Sequence, residues 1–421
     1  MLQLSYIHEN TAEVIKRLAV KNFKAEEIVN SIIEKDINRK KIKQDLEKNL
    51  AYANQIAKEI GALYKSGNIS EANEKKEITK QLKETEKQLN QQLSVLESEV
   101  DQLLVQLPNL PYHLVKPGKT ADDNEIILQE GYIPESTNNL PHWEIAAKYD
   151  IIDFELGNKV TGSGFPFYKN KGAKLQRALV SFFLDEASKE GYNEYEVPLV
   201  VNEASGYGTG QLPDKEGQMY HIGLDNLYMI PTAEVPLTNI FRDTILRAED
   251  LPVKCTGYSA CFRREAGSYG KDVRGLNRLH QFDKVEIVQI QHPSKSYETL
   301  ENMKDYVAGL IRKLGLPFRI LRLCGGDISF TSAMTYDMET YSIAQKKWLE
   351  VSSISNFESF QANRLKLRFR DGNNKTQLVH TLNGSALALP RIVACILENN
   401  QTPDGIKIPE VLVPYTGFDM I

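Results

Sequence analysis

Two long stretches near the start of the chain carry hydrophobic residues at alternating intervals of four and three. In the first, from about Glu26 to Tyr64, these residues are Leu46, Leu50, Ala53, Ala57, Ile60 and Tyr64. In the second, from about Glu71 to Leu107, they are Leu89, Leu93, Leu96, Val100, Leu103 and Leu107. This spacing is typical of the seam between packed helices. Because Lys65-Ser66-Gly67-Asn68 interrupts it, we predict an antiparallel helical hairpin, a coiled-coil arm over about residues 27–106, which reaches about 55 Å.

The pattern changes after residue 110. Pro108, Pro111 and Pro117 begin a polar stretch that we interpret as a linker over residues 111–140, following a first domain of residues 1–110. A second domain is predicted over residues 141–421. It includes a helix over 172–190 and then a strand over Tyr192–Val197. Strands and helices alternate irregularly there, which favours an α+β fold with an antiparallel sheet over a repeating βαβ order.

The stretch Cys261–Val288 predicts a strand, a glycine-bearing loop and a second strand. Arg263 and Glu265 are two residues apart, so we expect them to share a face of the first strand. By the same rule, one face of the second strand carries Phe282, Lys284 and Glu286. The loop combines cations with glycines, as polyphosphate sites do: Lys271, Arg274, Arg278, Gly267, Gly270 and Gly275. A solvated hairpin with its charges outside is the alternative.

Three further motifs offer groups suited to a site. Thr232-Ala233-Glu234 follows an apolar strand and suits an ammonium or hydroxyl group, although the same pattern is common at helix N-termini. Glu350-Val351-Ser352-Ser353 offers oxygen ligands of the kind that Mg²⁺ prefers, although such residues also occur on wet edge strands. Asn383–Arg391 reads as the start of a helix with Ala386, Leu389, Val393 and Ile396 on one stripe. Pro390 inside that helix would cost about 3 kcal/mol.

Composition and charge narrow the function classes. The 421 residues suggest two or three domains, and 41% hydrophobic and 25% charged residues are ordinary for a soluble chain. A net charge of −5 gives no global basic field, so any RNA contact must use local patches. The arm carries such clusters, which form either a solvated face or a grip on a phosphate backbone: Arg39, Lys40, Lys41, Lys43, Lys75, Lys76, Lys80, Lys83 and Lys87.

Cysteine usage and hydropathy bear on location. The four cysteines, Cys255, Cys261, Cys324 and Cys395, form no CxxC pair, which favours a reducing compartment and argues against a structural zinc. No 18-residue apolar run and no signal-peptide pattern occur, so we expect a cytoplasmic protein without a membrane span. Neither common nucleotide-binding fingerprint, GxxxxGK[ST] or GxGxxG after a strand, is present.

Several of these stretches resemble motifs of class II aminoacyl-tRNA synthetases. Phe262–Glu265 together with His280–Glu286 is similar to motif 2, and Gly384–Arg391 is similar to motif 3. The helix and strand that end at Pro198 look like motif 1, the dimer element of that class. With Thr232-Ala233-Glu234, Glu350–Ser353 and the helical arm, the chain resembles the bacterial-type seryl-tRNA synthetases over essentially its whole length.

The resemblance implies an ATP-dependent enzyme. It would activate L-serine with ATP and Mg²⁺ to seryl-adenylate and pyrophosphate, and then transfer serine to the 3′ end of tRNA(Ser). It would act as a cytoplasmic homodimer, and the family commonly charges tRNA(Sec) too. Arg263, Glu265 and Arg391 match the catalytic positions. Arg263 would hold the α-phosphate and the serine carboxylate, Arg391 the γ-phosphate, and Glu265 the adenine amino group.

The remaining roles also come from the resemblance. Phe282 would stack on adenine, and Glu350 and Ser353 would hold Mg²⁺. The ATP set is completed by Arg264, Leu279, Val351 and Ser352. Serine would be bound by Thr232, Ala233, Glu234, Arg263, Glu286, Asn383 and Ser385. The arm would lie along the long variable arm of the tRNA.

Two other functions are weighed against this one. An amino-acid:carrier-protein ligase would share the core but lack the arm. A non-catalytic paralogue would be expected to have lost Arg263, Glu265 or Arg391, and all three are present.

Overall fold

The computed structural model describes residues 1–133, 139–265 and 274–421. It divides into two compact units, one of Met1–Ala19 with Phe23–Pro108 and one of Val20–Asn22 with Asn109–Ile421. The helices, in chain order, are α1 (Leu4–Glu9), α2 (Thr11–Val20), α3 (Glu26–Lys65), α4 (Ile69–Leu104), α5 (His142–Lys148), α6 (Phe154–Val160), α7 (Asn170–Lys189), α8 (Glu203–Thr209), α9 (Glu234–Asn239), α10 (Ser296–Lys313), α11 (Phe360–Leu365), α12 (Leu389–Asn399) and α13 (Val413–Thr416).

The strands are mostly short outside one large sheet. In chain order they are β1 (Glu125–Glu130), β2 (Ile152–Asp153), β3 (Phe167–Tyr168), β4 (Asn193–Glu194), β5 (Val200–Asn202), β6 (His221–Ile222), β7 (Leu227–Met229), β8 (Ile245–Arg247), β9 (Val253–Phe262), β10 (Gln281–Gln291), β11 (Phe318–Arg322), β12 (Met334–Ser342), β13 (Lys347–Asn356), β14 (Arg368–Arg370), β15 (Thr376–Leu378), β16 (His380–Ala388), β17 (Gln401–Thr402) and β18 (Gly405–Ile406).

In the first unit, α3 and α4 pack against each other as a long hairpin. Leu46, Ile56, Ala72 and Val100 are buried between them, and the ion pairs Lys35–Glu99 and Lys75–Glu59, both 2.6 Å, link the two helices. The predicted seam of the second helix is confirmed at Val100. The predicted seam of the first helix is partly wrong, since Leu50, Ala57 and Tyr64 are exposed.

The reason lies in two overlapping rows of apolar residues on α3. Both rows contain Leu46, Ala53 and Ile60, but one continues through Ala57 and the other through Ile56. Burial of the isoleucine removes more apolar surface from water than burial of the alanine, so the row containing Ile56 faces α4. Asn49 also faces the seam and donates to the Leu82 carbonyl at 3.0 Å.

The second unit is built on an eight-stranded sheet of order β1-β11-β12-β13-β16-β10-β9-β4. Its pairs are antiparallel except for β4 with β9, which is parallel. Helices α7, α10 and α12 pack on one face over a core that includes Val285, Ile287 and Ile354. Alternate residues of the same strands point to the other face, where Glu286 lies in a polar region while Val288 and Ile290 pack against α9 and α11.

Two predicted elements differ from the structure. Asn383–Ala388 belongs to strand β16, and α12 begins only at Leu389, so the prediction of a helix start over Asn383–Arg391 is wrong. Pro390 therefore lies in the first helical turn, where a missing N–H costs no hydrogen bond. The strand predicted over Tyr192–Val197 is shorter, covering Asn193–Glu194.

Strand β9 ends at Phe262, so Arg263 and Glu265 do not share a strand face, contrary to the prediction. The chain leaves the ladder there because the Arg264 amide donates to the Gln218 carbonyl at 2.8 Å. Glu265 has a left-handed backbone with φ of 49°. The predicted loop residues Gly267, Gly270 and Lys271 lie outside the described residues.

Two global features bear on earlier expectations. Among the described residues, no helix is both long and apolar enough to cross a bilayer. The four cysteines are buried and unpaired. Burial raises the pKa of Cys255 to about 11 and that of Cys395 to about 12.

Candidate functional site

The polar face of the large sheet gathers residues from distant parts of the chain. Glu286 on β10 is paired in register with Ser385 on β16, and Asn383 of the same strand is paired with Ser355 on β13. Directly paired residues share a face of a sheet, so these side chains form one polar row. The segment Thr232–Glu234, which leads into α9, lies against this row. The structure thus brings together the residues predicted to bind serine.

The centre of this face is a buried cluster of charged side chains. Glu286 is 2% exposed, and its Oε2 atom lies 2.6 Å from Nζ of Lys284. The same Nζ donates to Oγ1 of Thr232 at 2.9 Å, and the Thr232 hydroxyl donates to Glu286 at 3.2 Å. Lys284 therefore bridges the carboxylate and the hydroxyl.

A second carboxylate, Glu234, lies close enough to Glu286 to interact with its charge. Nε2 of Gln361 donates to Glu234 at 2.7 Å, and the Glu234 amide donates to the Thr232 hydroxyl at 3.2 Å. Burial, together with the negative charge of Glu286, raises the pKa of Glu234 to about 7. Burial also raises the pKa of Glu286, although Lys284 opposes this shift. Two carboxylates against one lysine leave a site that favours an added cation such as an ammonium group.

On the nucleotide side of the predicted site, an arginine stacks on an aromatic ring. The Arg263 guanidinium lies 5.2 Å from the ring centroid of Phe282. Glu265 accepts a hydrogen bond from Nε of Arg278. Arg391 donates from Nε to the Asn277 carbonyl at 3.0 Å and from Nη1 to the Glu350 carbonyl at 2.7 Å.

Four members of the predicted ATP set take no part in these contacts. The Arg264 side chain is exposed, and only its amide is bonded within the protein in the described residues. Leu279 is buried and lines a cavity of about 580 Å³ together with Trp143, Phe165 and Gly275. Val351 and Ser352 are buried on β13, and the Ser352 hydroxyl donates to the Ser385 carbonyl at 2.6 Å.

The residues predicted to hold Mg²⁺ have a neighbour that sequence reasoning missed. Asp337 on β12 is paired in register with Ser353 on β13, one strand across from Glu350. Its Oδ1 atom is buried without a hydrogen-bond partner. Burial raises the pKa of Asp337, and the charge of Glu350 adds to the shift. An orphaned carboxylate oxygen beside Glu350 and Ser353 fits a hard cation. Within residues 1–133, 139–265 and 274–421, no cluster of three or more His, Cys, Asp or Glu residues suits a metal.

The basic residues of the arm fall into two groups. In the first group, Arg39 and Lys40 bind the buried carboxylate of Asp36 at 2.7 and 2.8 Å, and this carboxylate also accepts a hydrogen bond from His8. Burial alone would raise the pKa of Asp36, but these three hydrogen bonds lower it to about 2. Lys75 pairs with Glu59, and Lys76 lies 4.9 Å from the Tyr64 ring centroid. The remaining residues of the predicted basic clusters are exposed and have no ion pair in the part of the chain that the structure describes: Lys41, Lys43, Lys80, Lys83 and Lys87.

Lys284, Gln361 and Asp337 are the residues that sequence reasoning did not assign. Lys284 had a signal, because a lysine between Phe282 and Glu286 on one face of a core strand is unusual. Gln361 comes from α11, and no spacing in the chain connects it to Glu234.

A largely antiparallel sheet with α7, α10 and α12 on one face and a polar site on the other is the architecture of the class II aminoacyl-tRNA synthetase core. A family model described as the tRNA synthetase class II core domain (G, H, P, S and T) matches residues 220–400. A model of the seryl-tRNA synthetase N-terminal domain matches residues 1–111. The predicted α+β fold with its N-terminal helical hairpin is thus confirmed.

Comparison with similar proteins identifies the family within this class. The serine–tRNA ligase of Salinibacter ruber is 48% identical to this chain, and the match covers 100% of this chain and 99% of the relative. The serine–tRNA ligase of Chlorobaculum parvum is 45% identical, and the match covers the full length of both chains. The crystal structure of Pyrococcus horikoshii seryl-tRNA synthetase complexed with ATP superposes with a TM-score of 0.92 at 32% identity, covering 100% of this chain and 99% of that one. The structure of the cytoplasmic serine–tRNA ligase of Naegleria fowleri in complex with AMP superposes with a TM-score of 0.87 at 26% identity. The match covers 100% of this chain and 98% of that one. The chain belongs to the seryl-tRNA synthetase family.

Proposed function

We propose that the protein activates L-serine with ATP to seryl-adenylate and pyrophosphate, and transfers the seryl group to the 3′ end of tRNA(Ser). The observation that carries this proposal is the buried cluster of Glu234, Glu286, Lys284 and Thr232, which offers anionic and hydroxyl groups to a small amino acid. Residues 1–110 are assigned to tRNA binding, 111–140 to a linker and 141–421 to catalysis.

Serine selection rests on the two carboxylates. The ammonium group of serine is bound by Glu234 and Glu286, and Asn383 and Ser385 on β16 face the same space as Glu286. A site that bonds the serine hydroxyl rejects alanine strongly, because alanine would leave buried polar groups without partners.

Activation needs positioning and charge stabilisation. The serine carboxylate, already an anion, attacks the α-phosphorus of ATP and pyrophosphate leaves, so no general base is required. Adenine takes the place over the Phe282 ring that the Arg263 guanidinium holds in the described structure. Arg263 then contacts the α-phosphate and the serine carboxylate, Glu265 the adenine amino group, and Arg391 the γ-phosphate.

We assign Mg²⁺ to Glu350, Ser353 and the orphaned oxygen of Asp337. When bound, the ion neutralises phosphate charge on ATP.

The substitution Asp337→Asn tests this assignment. It is expected to raise about tenfold the Mg²⁺ concentration that gives half-maximal ATP–pyrophosphate exchange, and to weaken direct binding of Mn²⁺ in the presence of ATP. The exposed Asp305→Asn is the control. An unchanged Mg²⁺ requirement in Asp337→Asn would exclude Asp337 from the site.

For the tRNA interface we favour Lys41, Lys43, Lys80 and Lys83, which are exposed and have no ion pair among the described residues. Arg39 and Lys40 are disfavoured because Asp36 already pairs with both. A homodimeric state, a cytoplasmic location and the charging of tRNA(Sec) stay predictions of the family resemblance.

The direct test is ATP–pyrophosphate exchange with each of the twenty amino acids, followed by charging of tRNA(Ser). Exchange is expected with serine, and with alanine or threonine at least 100-fold more slowly. Deletion of residues 30–104 is expected to preserve exchange and abolish charging. Exchange with serine but no charging by the full chain would contradict the proposal and favour a carrier-protein ligase.

A further inference from the structure

A short stem of loop, residues 274–280, leads into β10 and is held from several sides. Its central residues, Leu276 and Asn277, contact two residues outside the predicted ATP set, His142 and Gln345, and one member of that set, Arg391. Nε2 of His142 accepts a hydrogen bond from the Leu276 amide at 2.8 Å. The Asn277 side chain donates to Oε1 of Gln345 at 2.8 Å. The Asn277 carbonyl accepts from Nε of Arg391 at 3.0 Å.

His142 is itself fixed by a buried carboxylate. The ring and Glu398 are fully buried, and Nδ1 of His142 lies 2.7 Å from Oε1 of Glu398. The His142 amide donates to the same oxygen at 3.0 Å, and so does Nε2 of Gln345 at 2.9 Å. The Ser342 hydroxyl occupies the other carboxylate oxygen. Burial alone would raise the pKa of Glu398, but the hydrogen bonds from His142 and Ser342 outweigh burial and lower it.

The contacts of His142 define its tautomer. A backbone amide can only donate, so Nε2 must carry a lone pair toward Leu276 and the proton must sit on Nδ1, toward Glu398. The ring is in close contact with the stem. Gly275 has a φ of 68°, and a Cβ atom at this residue would lie 2.2 Å from Nε2 of His142.

Arg391 and Glu398 both belong to α12 and are seven residues apart, close to two full turns, so both leave the same side of the helix. The helix therefore holds the stem at two points. Arg391 contacts the Asn277 carbonyl directly, whereas Glu398 reaches the Leu276 amide through His142.

We propose that His142, held by Glu398, is a positioning residue for ATP. It sets the place of the Leu276–Asn277 backbone on α12, and through the Asn277 carbonyl it sets the direction of the Arg391 guanidinium. Gln345 is a second support of the same stem. The inference rests on the proposed role of Arg391 with ATP and extends it to residues that touch neither ATP nor serine.

The test compares KM values in serine-dependent ATP–pyrophosphate exchange with the full chain. His142→Phe keeps an aromatic ring but removes both hydrogen bonds, and is expected to raise KM for ATP at least tenfold and change KM for serine less than twofold. His142→Gln returns an acceptor toward Leu276 and is expected to recover most of the loss. Gln345→Met removes the other support from a partly exposed position, and is expected to raise KM for ATP about threefold.

A matched control and a second measurement separate positioning from folding. His380 is another largely buried histidine, bonded to Ser296 at 2.8 Å, and His380→Phe is expected to leave KM for ATP unchanged. ATP affinity without turnover is read from the fluorescence of Trp143, whose ring lies 4.7 Å from the Arg274 guanidinium on the stem, in a Trp348→Phe background.

The possible results are distinct. If KM and Kd for ATP stay within twofold of the wild type in His142→Phe and Gln345→Met, the inference is overturned. If His142→Phe does not fold, Gln345→Met decides alone. If the wild type shows no serine-dependent exchange, the proposed function fails, and the Trp143 titration of ATP still decides the role of His142.

Discussion

At the residue scale, the proposed serine pocket holds two buried carboxylates but one buried lysine. Lys284 compensates one of the two carboxylates, Glu234 and Glu286, and the other is ready for the ammonium of the substrate. Alternation along β10 predicts that Lys284 and Glu286 share a face. It cannot predict that the lysine contacts Thr232, because that contact joins segments about 50 residues apart in the chain. Asp337 was missed for the same reason, since strand register is needed to place it opposite Ser353.

The raised pKa of Glu234 predicts a pH dependence of serine binding. Because that pKa is about 7, Glu234 is mostly ionised at pH 8 and mostly protonated at pH 6. Only the ionised form attracts the serine ammonium, so KM for serine should rise about tenfold from pH 8 to pH 6 at saturating ATP. The other charged groups at this pocket are Glu286, Lys284, which contacts Glu286 at 2.6 Å, and Arg263, whose positive charge acts on Glu286.

Exchange kinetics over this pH range check the expectation, with Glu234→Gln as the matched variant. The variant should bind serine weakly and show a flat profile. An equally steep profile in Glu234→Gln would show that another group is titrating.

At the element scale, the sequence pattern predicts the type of the long helices better than it predicts which side of them is buried. On α3 two apolar rows satisfy heptad spacing, and only the partner helix α4 selects the one with Ile56. The helix predicted over Asn383–Arg391 is wrong because β16 is a central strand that is buried on both faces. Every position from Thr381 to Leu387 is buried, so no two-residue period of burial remains. Pro390 marks the true helix start.

The seam of the arm gives a matched pair of substitutions. Leu46 is 9% exposed and Leu50 is 37% exposed on the same helix. Leu46→Ala is expected to destabilise the arm by about 2–3 kcal/mol because it leaves a cavity, whereas Leu50→Ala should cost less than about 1 kcal/mol. Amide hydrogen exchange of α3 in the full chain measures both. Equal losses of protection would show that α3 is rotated from the orientation described.

At the scale of the whole molecule, a chain of net charge −5 must bind a polyanion through local cations. In the arm, the proposed tRNA interface, the basic residues are not equally available, since Asp36 and Glu59 already pair with three of the residues predicted to contact tRNA. Counting basic residues in the sequence cannot separate the two groups, because the pairing depends on which side of each helix faces its neighbour.

Salt dependence tests this division of the arm. The double variant Lys80→Gln/Lys83→Gln should raise KM for tRNA(Ser) about tenfold at 0.1 M salt. The slope of log KM against the logarithm of the salt concentration should fall by about 1.5, because two phosphate contacts are lost. Lys75→Gln, in which a paired lysine is lost, should have a smaller effect. Serine-dependent exchange should be unchanged in both, and a change there would assign these lysines another role.

The burial of all four cysteines has a practical consequence for labelling. A thiol reacts as the thiolate, and burial disfavours that form at Cys255, Cys261 and Cys395. A single cysteine introduced at the exposed Ser66, in the turn between α3 and α4, would therefore be the fastest-reacting thiol of the chain. A maleimide fluorophore attached there would follow tRNA arrival at the tip of the hairpin in real time, without removal of any native cysteine.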